Sequence, residues 1–443
     1  MGESDGPNAG AGAGRESEPA DGNERDDGTA ETGDGSASGP AVAPAVGGGE
    51  PTGSADGGGE PGDPPSDDPA SDRGDHSGPD GGPAVLGIVG STVALVGTAP
   101  PVRAGVDDPA VMAALALAAV ALGIFLTRRW DVLPRVAGAG IGGLASLGVV
   151  LAATYGLNQD VLYALSIPGL GETPALLLAV VGASVGLAGA VADFGGLTTD
   201  GIYRRTVAAL SMSAVGVAGF LAIQLWLVVL LAIAIPATTG FAWGDLAATT
   251  VTAVGQVGTV LGVGCVAIGY LVLTDRGWDF VDLEWPDRWD VAYVVGGFVV
   301  LFGAAIALNA FLTATGTESQ GHTTFTQAQS NPEILLLLVP ASILVIGPFE
   351  ELLYRNVIQK SLYDHFSRAG AVVVASIPFA LVHFPAYYGG HVGQSLVSLG
   401  IILALSLILG ALYAKTENLL VPAFVHGLYN AVIFYSAYVT MTG

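Results

Sequence analysis

Residues 333–355 read EILLLLVPASILVIGPFEELLYR. An apolar run long enough to cross a bilayer carries two adjacent glutamates, Glu350 and Glu351, and then an arginine, Arg355. A membrane helix needs about 20 mostly apolar residues. Ionisable groups at membrane depth are costly, and so they are rare and usually functional. The stretch therefore reads as a membrane helix with proton chemistry inside it.

The rest of the chain agrees. It has 443 residues and a mean hydropathy of +0.59, and 12% of its residues are charged, about half the usage of a soluble protein. Eleven apolar spans follow from the pattern, at about 83–100, 109–127, 136–155, 174–194, 207–235, 250–274, 291–314, 333–354, 370–387, 395–414 and 419–439. The fifth is long and is expected to tilt or to break at Pro236. Strand periodicity is absent, which disfavours a barrel. The fold class is all-α, a polytopic membrane bundle.

Residues 1–82 differ in kind. They are Gly, Pro, Ser, Asp and Glu, with 19 acidic residues and three arginines out of a net charge of −24. Such a segment cannot bury enough apolar surface to offset its ordering entropy, so a disordered acidic tail is expected. It has no apolar core of a signal peptide. It reads either as a solvating tail or as an interaction tail. Only two lysines occur, Lys360 and Lys415. Acidic composition with scarce lysine fits adaptation to high salt, as in haloarchaea. The single cysteine, Cys265, sits in an apolar run, so a disulfide and a thiolate site are both disfavoured.

Basic residues set an expected orientation. Arg128, Arg129, Arg135, Arg204, Arg205, Arg276, Arg288, Arg355, Lys360, Arg368 and Lys415 all fall on one side of an eleven-span chain. That side is expected to be cytoplasmic, with the N-terminus inside and the C-terminus outside in a cell membrane. Three regions follow: the tail at 1–82, about six accessory spans over 83–288, and a core over 289–443.

Two further spans carry one histidine each, His383 and His426. Glu351 and Arg355 are four apart and can pair on one helical face, leaving Glu350, about 100° away, free to act as a base. Alternatively, both glutamates end the helix at the interface. Phe379 and His383 share a face, as do His426 and Asn430; each histidine could instead be a satisfied core residue or an interhelical hydrogen-bonding group. Pro348, Pro378 and Pro422 precede the three polar groups closely. Such prolines are expected to kink the helices around a wet cavity.

Together these stretches spell EExxxR, FxxxH and HxxxN, and they resemble the CPBP family of intramembrane proteases. That family includes the type II CAAX prenyl endopeptidases and the Abi and bacteriocin-processing proteins. The resemblance covers about residues 330–440. It implies a helical bundle around a cavity open to the cytoplasm and hydrolysis of a membrane-associated substrate, whether a CAAX-type prenylated C-terminus, a peptide or another membrane protein. In that scheme Glu350 activates water, while His383, His426 and Asn430 position the water or hold the oxyanion. Glu351, Arg355 and Phe379 support them. Family names include metalloprotease, and Glu350, His383 and His426 are a set able to ligate zinc, yet the helical HExxH motif is absent. Metal-free hydrolysis is an equal alternative.

A proton-coupled transporter, or a silent membrane adaptor or immunity protein on the same fold, are the competing readings. Polar groups confined to the C-terminal third count against the first, and intact motifs against the second. Gln224, Gln256, Asn309 and Asp193 read as isolated polar residues that pack or make interhelical hydrogen bonds. Nucleic-acid binding is disfavoured, since there is no basic patch.

Overall fold

The computed structural model of the protein describes residues 81–169, 171–239 and 246–443. The expected acidic tail lies almost wholly outside the described residues. Twelve helices are numbered here. They are α1 (Gly82–Arg103), α2 (Pro109–Arg129), α3 (Arg135–Asn158), α4 (Ala175–Phe194), α5 (Thr199–Thr239), α6 (Ala248–Leu273), α7 (Arg288–Thr315), α8 (Thr323–Ala328), α9 (Glu333–Leu362), α10 (Arg368–Val382), α11 (Val392–Thr416) and α12 (Leu420–Thr442). Among the described residues, ten are long and apolar enough to cross a membrane. Helix is the expected outcome, because lipid offers backbone groups no partner outside the segment itself.

Three details depart from the sequence reading. The ninth span is a helix of only 15 residues, Arg368–Val382, about 22 Å against a hydrocarbon core of about 30 Å. It stops at His383, and a 3₁₀ turn, Phe384–Tyr387, follows. Of the two expectations for α5, the break is not seen, for the helical backbone runs through Pro236. The α3–α4 connection contains a small antiparallel hairpin, β1 (Ala164–Ile167) and β2 (Gly171–Pro174), with Ala164 opposite Pro174.

Helices α1–α4 build a bundle with its own core, including Val111, Val149, Leu157 and Leu176. α1 and α4 meet backbone to backbone. A Cβ on Gly182 would lie 2.7 Å from Gly90 O, and one on Gly189 would lie 2.6 Å from Gly87 N. Small residues allow such approach where no hydrophobic force drives helices together in lipid. Arg128 clamps Asp193 through two hydrogen bonds of 2.8 and 3.0 Å, tying α2 to α4. Asp193 thus makes the interhelical hydrogen bonds expected as one of its two readings, and it does so as an ion-pair partner.

A second core joins α5, α6, α9 and α10 through Val263, Ala267, Leu353, Ile358, Ala371 and Phe379. α9 and α12 cross closely, for a Cβ on Gly427 would sit 2.6 Å from Ser342 O. Gly347 faces Ala423 O in the same crossing. This contact sets the side chains of α9 next to those of α12. The α6–α7 loop locks the helix ends beyond it. Asp282 accepts from Lys360 Nζ at 2.6 Å and from Tyr413 O–H at 2.5 Å. Its N–H donates to Asn356 Oδ1 at 2.8 Å, and its carbonyl accepts from Leu419 N–H at 2.7 Å. One loop residue therefore ties α9, α11 and α12 together.

Candidate active site

α9 is not a uniform α-helix. Two π-helical stretches, Ser342–Ile346 and Leu352–Gln359, flank the turn Gly347–Glu351 that carries both glutamates. A π turn inserts residues into the helical register and re-aims the side chains beside it, and such turns recur at functional sites. Proline explains only part of the geometry. Pro348 follows the first π stretch, and Pro378 lies inside α10. Pro422 stands in the first turn of α12, where a missing N–H is no loss, so it does not interrupt that helix.

Glu351 and Arg355 are both fully buried, at 0% exposure. Arg355 Nε donates to Glu351 Oε2 at 2.6 Å, and its Nη2 donates to Ser406 Oγ at 3.0 Å. Its guanidinium also lies 5.1 Å from the centre of the Phe379 ring. Glu351 Oε1 has a second partner, His426 Nδ1 at 2.8 Å. A carboxylate only accepts, so Nδ1 donates, and Nε2 of His426 is left for other chemistry. A buried charged pair persists only when its remaining lone pairs are satisfied. Here Arg355 and His426 satisfy both oxygens of Glu351.

Glu350 points elsewhere. It lines a cavity of about 470 Å³ together with His383, His426 and Asn430. Its Oε2 is buried and has no hydrogen-bond partner within the protein. The nearest cation-forming group is His383 Nε2 at 3.9 Å, beyond hydrogen-bond reach. His383 Nδ1 is 2.6 Å from Phe379 O. The carbonyl accepts, so Nδ1 carries a proton, and the nitrogen that faces Glu350 is Nε2, an acceptor in the neutral ring. Phe379 packs against both histidine rings, with centroids 4.8 Å from His383 and 6.1 Å from His426. The ring of Tyr354 closes the group edge-on at 4.9 Å from Phe379.

The four residues expected at the centre of the site thus share one cavity; of the three expected to support them, Phe379 also lines it, and Glu351 and Arg355 are buried behind it. Among the lining residues not foreseen are three whose side chains are suited to binding. Gln256, read from sequence as a packing or interhelical hydrogen-bonding residue, lines the cavity from α6, and its Oε1 is buried without a partner. His322 and Tyr387 reach the cavity from the connections before α8 and after α10. Burial raises the Tyr387 hydroxyl to about 12, so it is a neutral hydrogen-bonding group. No sequence periodicity marks these positions, because each lies in a connection or on a helix whose other polar residues are unremarkable.

The donor set does not gather around a metal. Among the described residues no three His, Cys, Asp or Glu side chains are grouped to hold one. Nδ1 of each histidine in the proposed zinc set is engaged, His383 with a carbonyl and His426 with Glu351, which leaves Nε2 of each as the nitrogen able to face a metal. A metal ligand set needs three protein donors converging on one point, and the chemistry below is therefore derived from side chains alone.

Comparison with known proteins agrees with this region. Residues 332–432 match the family model described as type II CAAX prenyl endopeptidase Rce1-like. A curated relative, "Putative membrane peptidase YdiL" of Bacillus subtilis (strain 168), is 28% identical over 145 residues, 32% of this chain. The chain matches about half of that relative, 53% of its length. No solved structure matches. The matched stretch, residues 332–432, holds both glutamates, Arg355, Phe379, the two histidines and Asn430, and it lies within a multi-pass membrane chain.

Proposed function

We propose that the protein is an intramembrane endopeptidase in which Glu350 activates water. The observation that carries the reading is Glu350, whose Oε2 is buried without a protein partner and which lines the cavity shared by His383, His426 and Asn430. A carboxylate with no competing donor is free to take a proton from water.

Water donating one hydrogen to Glu350 Oε2 and the other to His383 Nε2 turns its oxygen lone pair toward a peptide carbonyl. Its proton passes to Glu350 as the carbon–oxygen bond forms and the carbonyl becomes an oxyanion. Asn430 supplies an amide N–H to that oxyanion, and His426 faces it when Nε2 carries a proton. The tetrahedral centre collapses, the carbon–nitrogen bond breaks, and Glu350 returns the proton to the leaving amine. The products are a carboxylic acid and an amine. Glu351 takes no proton in this scheme. Its part is to hold His426 through Nδ1 while Arg355 holds Glu351.

The substrate we infer is a membrane-associated peptide or protein, with a prenylated CAAX-type C-terminus as the first class to try. The basic loops support a cytoplasmic N-terminus and an outside C-terminus. A metal-activated water remains a separate scheme, and its test is the same assay run with a chelator. The experiment uses purified protein in liposomes with prenylated and unprenylated CAAX-type peptides. Cleavage that disappears in Glu350→Gln supports the reading. Substrate flux without cleavage of any peptide would support a transporter instead.

A further inference from the structure

The segment between α7 and α9 brings a third histidine into the cavity. The N–H of Thr324 donates to His322 Nδ1 at 3.0 Å, capping the short helix α8. Nδ1 must then be an acceptor, so the proton of the neutral ring sits on Nε2. This is the opposite tautomer to that of His383, whose Nδ1 faces the Phe379 carbonyl. The ring is fixed by an edge-on contact with Tyr387, at 5.0 Å between centroids. Burial, and then the neighbouring His383, push its pKa down to about 4. His322 is therefore a neutral donor at ordinary pH.

The segment is held from several sides. Asn158, the last residue of α3, donates to Glu318 O at 2.7 Å and accepts from Glu318 N–H at 3.0 Å. Ser398 Oγ donates to Gln320 O at 2.9 Å. The accessory bundle and α11 thus both fix the strip that carries His322.

We propose that His322 is a substrate-binding residue whose Nε2–H donates to a backbone carbonyl of the bound peptide, away from the scissile bond. Glu350 and the acceptor nitrogen of His383 offer the peptide no donor on their side of the cavity, whereas a neutral donor suits a neutral carbonyl. This inference rests on the peptidase reading for its ligand.

Two substitutions separate the donor from the cap. His322→Asn keeps an oxygen near the Nδ1 position for the Thr324 N–H and lacks the reach of Nε2. His322→Gln places an amide N–H near Nε2. Affinity for a fluorescent prenylated CAAX-type peptide is measured in the Glu350→Gln background in liposomes, and kcat and KM are measured with Glu350 intact. We expect Asn to raise Kd and KM about tenfold, within the range for one lost hydrogen bond to a buried group, with kcat nearly unchanged. Gln should stay within about threefold of wild type by the same measure. Unchanged Kd in the Asn variant overturns the proposal, as does equal loss with Asn and Gln, which would assign the effect to ring packing on Tyr387. His322-dependent binding without cleavage by the wild type would sink the peptidase reading and leave His322 as a binding residue.

Discussion

Removing the Glu351 carboxylate should destabilise the protein far more than breaking an ordinary surface pair. An exposed ion pair contributes about 1 kcal/mol or less. Glu351 and Arg355 are both at 0% exposure, their contact is 2.6 Å, and Glu351 also holds His426 at 2.8 Å. In Glu351→Ala the guanidinium keeps Ser406 and the Phe379 ring, while Nη1 already lacks a partner. A buried charge left without its counterion costs about 3–5 kcal/mol. Replacing both members by apolar residues, Glu351→Ala with Arg355→Met, should recover most of that loss, since no unpaired charge remains. Glu351→Gln is the subtler change. One amide oxygen cannot accept from both Arg355 Nε and His426 Nδ1, so one of them meets an N–H₂ group. If His426 does, its proton must move from Nδ1 to Nε2. Reversible unfolding in detergent measures the first effect, and nitrogen NMR of labelled histidine reads the second. A loss below about 1 kcal/mol for Glu351→Ala, or a double variant no more stable than the single, would refute the buried-pair argument.

Two further outcomes are expected. Gly427→Ala puts a Cβ 2.6 Å from Ser342 O and should force α9 and α12 apart, at a cost of about 1–3 kcal/mol, with loss of activity beyond the loss of folded protein; a normal kcat would show that the crossing does not set the site. Acid should loosen the segment around His322. Its folded pKa of about 4 lies below the ordinary value of 6.5, so the unfolded segment binds the proton more readily, and stability present above pH 6.5 is lost as pH falls toward 4. Protonation also turns Nδ1 into a donor facing the Thr324 N–H. The protection factor of the Thr324 N–H, its exchange rate corrected for the intrinsic pH dependence, should therefore fall across that interval, and a constant protection factor would contradict the assigned cap.

Much of this was legible from the sequence because the signals are local. Apolar length gives membrane helices, and the i,i+4 spacing of Glu351 and Arg355 gives their ion pair on one face of α9. The same local reasoning separated Glu350 from Glu351. The Glu351–His426 bond spans 75 residues, and it depends on the Gly347–Gly427 crossing, whose closeness no periodicity encodes. The π-helical stretches of α9 were equally hidden, since their side chains are those of an ordinary amphipathic turn. α10 read as a full span because Phe384, Ala386, Tyr387 and Tyr388 continue its apolar pattern after the helix has ended. His322 sits in a polar connection where a helix cap looks like any other loop histidine.

The central claim is that Glu350 is the base that activates water, and the most direct measurement is the rate of peptide cleavage by Glu350→Gln against wild type. The glutamine keeps the size of the side chain and its place in the cavity, and it cannot accept the proton. With purified proteins in liposomes and a prenylated CAAX-type peptide, the rate should fall by roughly 10²–10⁴-fold, the usual contribution of a positioned base. Wild-type cleavage should persist in chelator. Undiminished cleavage by Glu350→Gln would contradict the assignment of the base, and cleavage abolished by chelator and restored by zinc would replace side-chain activation of water by metal activation.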